Sequence, residues 1–339
     1  MAKLRVGIVG CGSITKYRHA PEYAHNDAAE IVAFCDVNLV RATLMAEEYG
    51  GKVYTDYLDM FEKEELDLVS VCTPNLYHAP ISIAAARAGF HVLCEKPMAA
   101  SEAEALRMIT AAKESNVVLM IGHNQRFMPA HLKAKEILQS GDLGRVLTFR
   151  TAFGHPGPES WSADGKESWF FQKEIAIVGA MGDLGIHKAD LIRWLLEDEV
   201  VEISAFVETL HKENTKVDDN AICIMRMSQG AIGTLTASWT YYKGEDNTTL
   251  LYCENGVIKI GTDPVDQVIV EKTDGTVQRY NVGAMTTNTG QTHSGVIDSF
   301  IYSILTKTPP AITGEEGMKS LKVILAALES AETKKLIVI

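Results

Sequence analysis

The sequence predicts an α/β protein of two domains: a doubly wound parallel sheet, followed by an α+β domain with a large, mostly antiparallel open sheet. Up to about residue 123, short apolar runs alternate with helical patterns, as in parallel sheets covered on both faces. Beyond that point strands dominate, and hairpin signals join several of them. A length of 339 residues also exceeds what one core serves comfortably, so we predict domains 1–123 and 124–339.

Composition and charge narrow the classes of partner. The chain has 46% hydrophobic and 22% charged residues, as an ordinary globular protein does. Its net charge of −12 argues against nucleic acid and against an anionic membrane surface. No apolar run is long enough to cross a bilayer, and three early glycines interrupt any signal-peptide core. We therefore expect no nucleic-acid partner and no membrane partner.

The cysteines indicate a reducing compartment. Six cysteines lie mostly in or beside apolar strand-like runs, without paired spacing: Cys11, Cys35, Cys72, Cys94, Cys223 and Cys253. Neither a zinc site nor a disulfide framework is implied by such spacing. We expect reduced, buried thiols and a cytoplasmic location.

The first strand and its turn carry a phosphate-binding pattern. Residues 4–9 form a mostly apolar run, and the following turn contains Gly10 and Gly12. A strand that turns sharply into a helix needs one glycine for its backbone angles and another for close approach to a pyrophosphate. The helix N-terminus then stabilises the phosphate charge. We predict that this turn, including Ser13 and Ile14, binds a dinucleotide.

A carboxylate after the second strand supports the same site. The apolar run 31–35 ends in Asp36, about 20 residues past the turn, where a ribose-binding acid is expected. Such a carboxylate accepts hydrogen bonds from ribose hydroxyls and repels a 2′-phosphate, and Val37 and Asn38 supply no arginine. We therefore predict NAD rather than NADP. The alternative is an ordinary strand-turn-helix with a surface aspartate.

The other elements of the first domain follow from periodicity and turn residues. Helices are predicted at 39–49, 57–65, 77–88 and 101–114, and strands at 52–55, 66–72, 91–94 and 117–121. Ser101 and Glu104 form a capping box for the fourth of these helices. Ligands of such sheets gather beyond the carboxyl ends of the strands, where all the motifs of this half lie.

The second half begins with a connecting helix at 130–140 and a strand at 146–153. A loop at 155–166 and a helix at 180–196 come next. Further strands are predicted at 201–210, 221–227, 231–242, 248–253, 257–260, 268–272 and 277–282, with helices at 294–305 and 315–329. Glycine turns at 228–230, 254–256 and 273–275 predict hairpins. Thr313 and Glu316 form a capping box for the last helix.

Lys96 is the first candidate for chemistry. It lies between Glu95 and Pro97 at the end of a predicted strand. Proline prevents an inner strand from continuing, so the lysine lies at the edge of the sheet, where a nicotinamide ring would lie. A cation there can stabilise an alkoxide. A solvated lysine at the start of a loop is the open alternative.

Asp183 and His187 are the second candidate. Four residues apart on a predicted helix, they share one face. A histidine on an apolar stripe is more often a satisfied core residue, yet an unperturbed pKa of about 6.5 suits proton transfer near neutral pH. A metal could also bind this pair, but no third ligand follows at a telling spacing. We predict no metal site.

Together these motifs resemble the Gfo/Idh/MocA family, the glucose–fructose oxidoreductase and inositol dehydrogenase group. The matching segments follow the family's order across both halves: residues 7–12, Asp36, residues 73–75 with His78, residues 95–97, residues 124–126 and residues 183–187. The resemblance implies a Rossmann domain, an open-sheet C-terminal domain and NAD(P)-dependent oxidation or reduction of sugars, cyclitols or related polyols. It also implies homodimers or homotetramers packed through that sheet.

The resemblance assigns roles to individual residues. Lys96 and His187 become the catalytic pair, and Asp183 becomes their neighbour. The residues implied at the cofactor are Thr73, Pro74, Asn75, His78 and Glu95. The sequence departs from the family pattern at two places. Thr15 replaces the last small residue of the glycine fingerprint, which would alter helix–sheet packing. Residues 177–179 replace a glycine run, which would reshape the substrate pocket.

The predicted reaction is hydride transfer from a carbinol carbon to C4 of NAD. His187 takes the hydroxyl proton, Lys96 stabilises the oxyanion and Asp183 orients the pair. Predicted substrate contacts are Arg126, Trp169 and Tyr242, with His155 and His293 as further contacts. The two aromatic rings could stack on a sugar, or simply pack in the core or in an interface.

Two other functions stay open from the sequence. Some relatives of this family are glycosidases that use tightly held NAD for transient oxidation and elimination. A non-catalytic NAD-dependent sensor is the third reading, but a sensor needs neither Lys96 nor His187. The sequence does not name the polyol, the oxidised carbon or the direction of the reaction.

Overall fold

A computed structural model describes residues 3–213, 215–285, 287 and 293–339, and its first half forms a six-stranded parallel sheet. The strands are β1 (Leu4–Val9), β2 (Ala29–Cys35), β3 (Lys52–Tyr54), β4 (Leu68–Val71), β5 (His91–Cys94) and β6 (Leu119–Ile121). They lie in the order β3-β2-β1-β4-β5-β6. All five pairings are parallel, so the carboxyl ends of all six strands meet at one edge.

Helices connect these strands. They are α1 (Ala20–His25), α2 (Leu39–Tyr49), α3 (Tyr57–Lys63), α4 (His78–Arg87) and α5 (Glu102–Glu114). A π-helical turn, Thr15–His19, leads into α1. The Ser101 hydroxyl accepts a hydrogen bond from the Glu104 amide at 3.3 Å, which confirms Ser101 as the N-cap of α5.

The second half forms a nine-stranded mixed sheet. Its strands are β7 (Val146–Gly154), β8 (Val200–Glu208), β9 (Asn220–Met227), β10 (Ile232–Ser238), β11 (Thr249–Cys253), β12 (Gly256–Ile260), β13 (Val268–Lys272), β14 (Val277–Tyr280) and β15 (Ile337–Val338). Their order is β14-β13-β12-β11-β7-β10-β9-β8-β15. The three predicted hairpins are confirmed, and every pairing is antiparallel except that of β7 with β10.

The helices of the second half lie against one face of this sheet or return to the first half. They are α6 (Pro129–Gln139), α7 (Lys173–Ala176), α8 (Ile186–Leu196), α9 (Val296–Thr306) and α10 (Gly314–Thr333). A π-helical turn, Met181–Gly185, runs directly into α8. The Thr313 hydroxyl accepts from the Glu316 amide at 3.3 Å and caps α10 as predicted.

Each half of the molecule has its own apolar core. The first contains the parallel sheet and also takes in side chains of α9, among them Ile297 and Phe300. The second lies between the mixed sheet and α8, with Trp239 fully buried in it. Helix α9, from the C-terminal part of the chain, therefore packs on the core of the first half. The division of the chain into two domains at residue 123 stays a prediction.

The predicted fold class is confirmed. The ends of the strands, however, cannot be predicted from sequence periodicity alone. The predicted strand 201–210 ends at Glu208 because the Asp219 carboxylate accepts the backbone N–H groups of Leu210, His211 and Lys212, each at 2.7 Å. The short edge strand β15 was not predicted. In the described part of the chain, no helix combines the length and apolarity that a membrane span requires.

Candidate active site

A cleft opens at the carboxyl edge of the parallel sheet and faces the second half of the molecule. It encloses about 1220 Å³, its open mouth included, and it is lined by side chains of both halves. The predicted residues that line it are Gly12, Ser13, Ile14, Thr73, Asn75, His78, Glu95, Lys96, Trp169, Asp183 and His187, together with His155. The fold thus brings the distant motifs to one place.

The glycine-rich turn uses its two glycines differently. Gly10 has φ +95°, and a Cβ there would lie 2.5 Å from the carbonyl oxygen of Cys72. Only glycine therefore fits between the neighbouring strands. A Cβ at Gly12 would meet nothing within 4 Å, which leaves main chain open to the cleft. This is the space that a pyrophosphate needs.

Asp36 and Thr15 support that turn. The Asp36 carboxylate accepts hydrogen bonds from the Cys11 amide at 2.7 Å and the Asn38 amide at 2.8 Å. It therefore lies directly beside the turn, although it is not among the described residues that line the cleft, and its contact with a ribose stays a prediction. Thr15 is fully buried, and its hydroxyl donates to the carbonyl oxygen of Gly10. Thr15, which departs from the glycine fingerprint, thus stabilises the turn through this hydrogen bond.

The segment after β4 joins the two halves. Asn75 donates from Nδ2 to the carbonyl oxygen of Ala176 at 2.7 Å. The ring nitrogens of His78 lie 2.7 Å from the carbonyl oxygens of Pro97 and Thr73. The Thr73 hydroxyl is buried and has no hydrogen-bond partner among the described residues. An orphaned polar atom in the cleft fits a dinucleotide that would supply its partner.

Glu95 lies in a buried ionic cluster at the wall of the cleft. Its carboxylate is 3.0 Å from His19 Nε2 and 3.6 Å from an Arg18 nitrogen. Burial opposes ionisation, but the hydrogen bond from His19 and the charge of Arg18 lower the pKa of Glu95 to about 2. Glu95 is therefore an anion, and it accepts a hydrogen bond from the backbone amide of Lys96 at 3.3 Å.

Lys96 and Asp183 form an ion pair across the cleft. Lys96 Nζ lies 3.0 Å from the Asp183 carboxylate and 3.0 Å from the Asp183 carbonyl oxygen. The other carboxylate oxygen accepts from Trp239 Nε1 at 3.1 Å. Asp183 is thereby fixed from two sides, and it holds the ammonium group of a residue 87 positions away in the sequence.

His187 is a buried, neutral imidazole in the same cleft. Burial, with the positive charge of Lys96, lowers its pKa well below the ordinary 6.5. Its Nδ1 is buried and has no hydrogen-bond partner among the described residues. Its ring packs against Phe153 at 5.7 Å between centroids. A neutral imidazole that lines a cleft can accept a proton.

Aromatic side chains form one wall of the cleft. Trp169 and Phe170 stack with centroids 3.9 Å apart, and Trp161 meets Phe170 edge-on at 5.1 Å. Ser13 of the glycine-rich turn donates to the carbonyl oxygen of Trp161 at 2.8 Å. Sequence reasoning missed Trp161 and Phe170, although two tryptophans in a segment rich in Gly, Pro and Ser were an available signal.

Arg126 is a correction to the sequence prediction. It does not occur among the described residues that line the cleft. Its guanidinium makes two hydrogen bonds to Asp190, at 2.8 and 2.7 Å, and a third to Glu316 at 3.2 Å. Held by two carboxylates and outside the described lining of the cleft, Arg126 does not support the predicted substrate contact.

Tyr242 and His293 are also absent from the described lining of the cleft. Tyr242 is 54% exposed, and its ring lies against His211 and the ammonium group of Lys212. His293 packs its ring against His25, with centroids 6.0 Å apart. Neither position supports the predicted substrate contact.

The remaining assignments concern metals and thiols. Within the described ranges, no group of three or more His, Cys, Asp or Glu side chains is arranged to hold a metal ion. All six cysteines are buried, with free thiols.

Two family models match the chain. The model described as "Oxidoreductase family, NAD-binding Rossmann fold" matches residues 4–123, and the model described as "GFO/IDH/MocA C-terminal domain" matches residues 131–259. The two matches cover the parallel sheet and most of the mixed sheet, which are the parts that form the cleft.

Individual proteins are similar over most of their length. Levoglucosan dehydrogenase of Pseudarthrobacter phenanthrenivorans is 32% identical over 270 residues, 70% of this chain and 68% of that protein. Myo-inositol 2-dehydrogenase of Thermotoga maritima is 29% identical and covers 98% of this chain and 97% of its own. A solved structure of levoglucosan dehydrogenase with NADH and levoglucosan has a TM-score of 0.88 at 27% identity, with 99% of both chains covered.

Proposed function

The chain belongs to the Gfo/Idh/MocA family of NAD-binding oxidoreductases, and from that premise we propose an NAD-dependent dehydrogenase that oxidises a carbinol carbon of a sugar, cyclitol or related polyol. One observation supports the proposal most directly. The Lys96–Asp183 ion pair and the neutral imidazole of His187 line the same cleft as the glycine-rich turn. Bound NAD supplies the hydride acceptor, C4 of its nicotinamide ring.

Within this proposal, His187 is the general base. The substrate hydroxyl must lose a proton as its carbon is oxidised, and a neutral imidazole accepts one. Because burial and the charge of Lys96 keep the pKa of His187 below 6.5, the base is unprotonated at neutral pH and releases its proton readily afterwards.

Lys96 stabilises the developing oxyanion, and Asp183 orients Lys96. An ammonium group in a water-poor cleft lowers the energy of an alkoxide strongly. Two contacts of 3.0 Å to Asp183 restrict the position of Lys96 Nζ. Positioning of this kind lowers the barrier because the cation need not reorganise during the reaction.

The aromatic wall and His155 support a ring-shaped, uncharged substrate. Trp169 is half-buried, lines the cleft and stacks on Phe170, so its ring can pack against the apolar face of a sugar or cyclitol. His155 Nδ1 accepts from the Gly157 amide at 2.9 Å, and burial lowers its pKa. A neutral His155 therefore carries its proton on Nε2 and can donate to a substrate oxygen.

A substrate screen tests the proposal. We expect reduced cofactor to accumulate when the protein is given NAD with levoglucosan, myo-inositol or a simple aldopyranose, and much less with NADP because Asp36 repels the 2′-phosphate. Absorbance of the reduced nicotinamide is the measurement. No binding of either dinucleotide by calorimetry would contradict the proposal, and release of an aglycone without net NADH would indicate the glycosidase instead.

The exposed face of the mixed sheet supports a homo-oligomer, which we propose as a dimer or tetramer. Phe206 of β8 and Ile222 of β9 are paired in register and are 78% and 56% exposed, and Ile224 is 61% exposed. A flat apolar face of this kind usually marks an interface. The free buried thiols fit a cytosolic location, which we also propose.

Light scattering after gel filtration tests the oligomer. Ile224→Glu places a charge at the centre of the face and should yield a smaller species. Leu44→Glu is the matched control, since Leu44 is similarly exposed, at 55%, on α2 of the first half. A monomeric wild-type protein would contradict this proposal without affecting the proposed reaction.

A further inference from the structure

The segment that carries Asp183 and His187 begins without a cap of its own. Ala180 precedes the π-helical turn Met181–Gly185 and provides no side-chain hydrogen bond to it. The first N–H groups of a helical segment lack partners within it and must find them elsewhere. The chain enters this segment through Ile177, a non-glycine residue with φ +67°.

Asp218, in the connection between β8 and β9, satisfies three successive N–H groups at this point. Its carboxylate accepts from the Gly179 amide at 2.8 Å and from the Met181 amide at 2.7 Å. Its carbonyl oxygen accepts from the Ala180 amide at 2.8 Å. One residue thus supplies the acceptors for all three of these N–H groups.

Gly179 allows the catalytic segment and the β8–β9 connection to approach this closely. A Cβ at Gly179 would lie 1.9 Å from the carbonyl oxygen of Asp218 and 2.7 Å from its nitrogen. Any side chain at that position would push the segment away from Asp218. Residues 177–179 replace the glycine run of the family. The one glycine among them, Gly179, is the residue that this contact requires.

The neighbours of Asp218 are fixed in turn. The carbonyl oxygen of Asp219 accepts from the Trp239 amide at 2.8 Å, and the Trp239 indole donates to Asp183. On the other side, Asn75 donates to Ala176, just before the turn. The start of the segment is thereby held between the nucleotide-binding half and the mixed sheet.

We propose that Asp218 is a positioning residue that sets where Asp183 and His187 stand relative to Lys96. It is not among the described residues that line the cleft, and it acts by holding the start of the segment from which both side chains project. Burial and the adjacent Asp219 raise the pKa of Asp218 to about 6, so the folded protein keeps this carboxylate at a cost in stability. The inference rests on the proposed function of the cleft.

Asp218→Asn is the principal test, and Asp198→Asn is its matched control. Asparagine has the same shape but places an NH₂ group against a backbone N–H. Asp198 is equally buried, 8% exposed like Asp218. It likewise accepts backbone N–H groups, those of Glu199 at 2.8 Å and Gln229 at 3.0 Å, and it does not appear among the described cleft residues.

We expect Asp218→Asn to lower kcat about 10- to 100-fold for the best polyol of the screen, the range for displaced catalytic groups. The dissociation constant of NADH should stay within twofold, and the primary deuterium isotope effect on kcat should rise. Asp198→Asn should lose a similar amount of thermal stability and keep its kcat. Equal kcat in both variants, or equal losses, would overturn the proposal.

Two further measurements keep the test decisive. If Asp218→Asn does not bind NADH, Asp218→Ser replaces it, because a serine hydroxyl still accepts one backbone N–H. If no polyol is oxidised, the proposed function fails alone, and histidine NMR decides the positioning claim. The His187 Cε1–H signal, assigned with His187→Asn, should shift in Asp218→Asn and not in Asp198→Asn; an unshifted signal would refute it.

Discussion

Two buried ionic clusters share the helical segment 181–196, and they differ in their access to the cleft. The cleft cluster consists of Lys96, Asp183 and His187. The closed cluster consists of Arg126, Asp190, Arg193 and Glu316. Both contain buried charges from distant parts of the sequence, so burial and charge alone do not distinguish them.

Access to the open cleft distinguishes the clusters, because unpartnered ring nitrogens occur beside both: those of His123, which lies 4.0 Å from Asp190, are also buried without a partner among the described residues. Asp190 accepts from Arg126 twice and from Ser320 at 2.9 Å, and it lies beneath the protein surface. In the cleft cluster, His187 lines the open cleft with Nδ1 lacking a partner among the described residues. An unpartnered polar group that lines an open cleft indicates chemistry, whereas ionic groups that do not reach the cleft indicate structure.

His187→Asn should break the cleft cluster with the largest effect. Removal of a general base lowers kcat by about 10²–10⁴. In the wild type, the lowered pKa of His187 means that the imidazole gains a proton only below pH 6.5, so kcat/KM should be flat through neutrality and fall in acid. Steady-state kinetics across pH measure both effects. An unchanged acid limb in the variant would remove His187 from the mechanism.

Lys96→Ala should have the second largest effect. Loss of one group that stabilises an oxyanion lowers kcat by about 10²–10³. NADH should still bind, because Lys96 pairs with Asp183 and not with the glycine-rich turn. Fluorescence titration of NADH is the control. A variant with near-normal turnover would show that the cation is dispensable and that the cleft cluster is structural, like the closed one.

Arg126→Ala should break the closed cluster and sharpen the contrast. Removing one partner leaves the Asp190 carboxylate buried without its main counter-charge, which costs about 3–5 kcal/mol. We expect a large loss of denaturant stability, with kcat of the remaining folded protein close to the wild type. A selective rise in KM with unchanged stability would restore the substrate role that the sequence suggested.

The contrast also explains which predictions succeeded. The parallel sheet and the hairpins follow from local signals, such as Gly10 in its turn and the glycines that close the hairpins. Arg126 was assigned wrongly because its partners, Asp190 and Glu316, lie 64 and 190 residues away. Periodicity places a residue on an element but does not identify its partner across the fold.

The aromatic wall and the cap of the catalytic segment could not be predicted for the same reason. Trp161 and Phe170 occur in a loop, where no periodicity fixes the direction of a side chain. Asp218 precedes β9 and resembles an ordinary loop residue until the fold brings Gly179 against it. The proximity of Asp183 to Lys96 was predicted only through the family resemblance, and the ion pair between them was not predicted.

Tyr242→Ala should have the smallest effect and completes the comparison. The ring is half exposed and touches only the side chains of His211 and Lys212 in the contacts described, so its removal should change the free energy of unfolding by no more than about 0.5 kcal/mol. Trp169→Ala removes a ring that does line the cleft. It should raise KM for a ring-shaped polyol while kcat changes less. Steady-state kinetics on both variants distinguish an aromatic residue that contacts substrate from one that lies outside the cleft. If the two variants have the same KM, Trp169 does not contact the substrate.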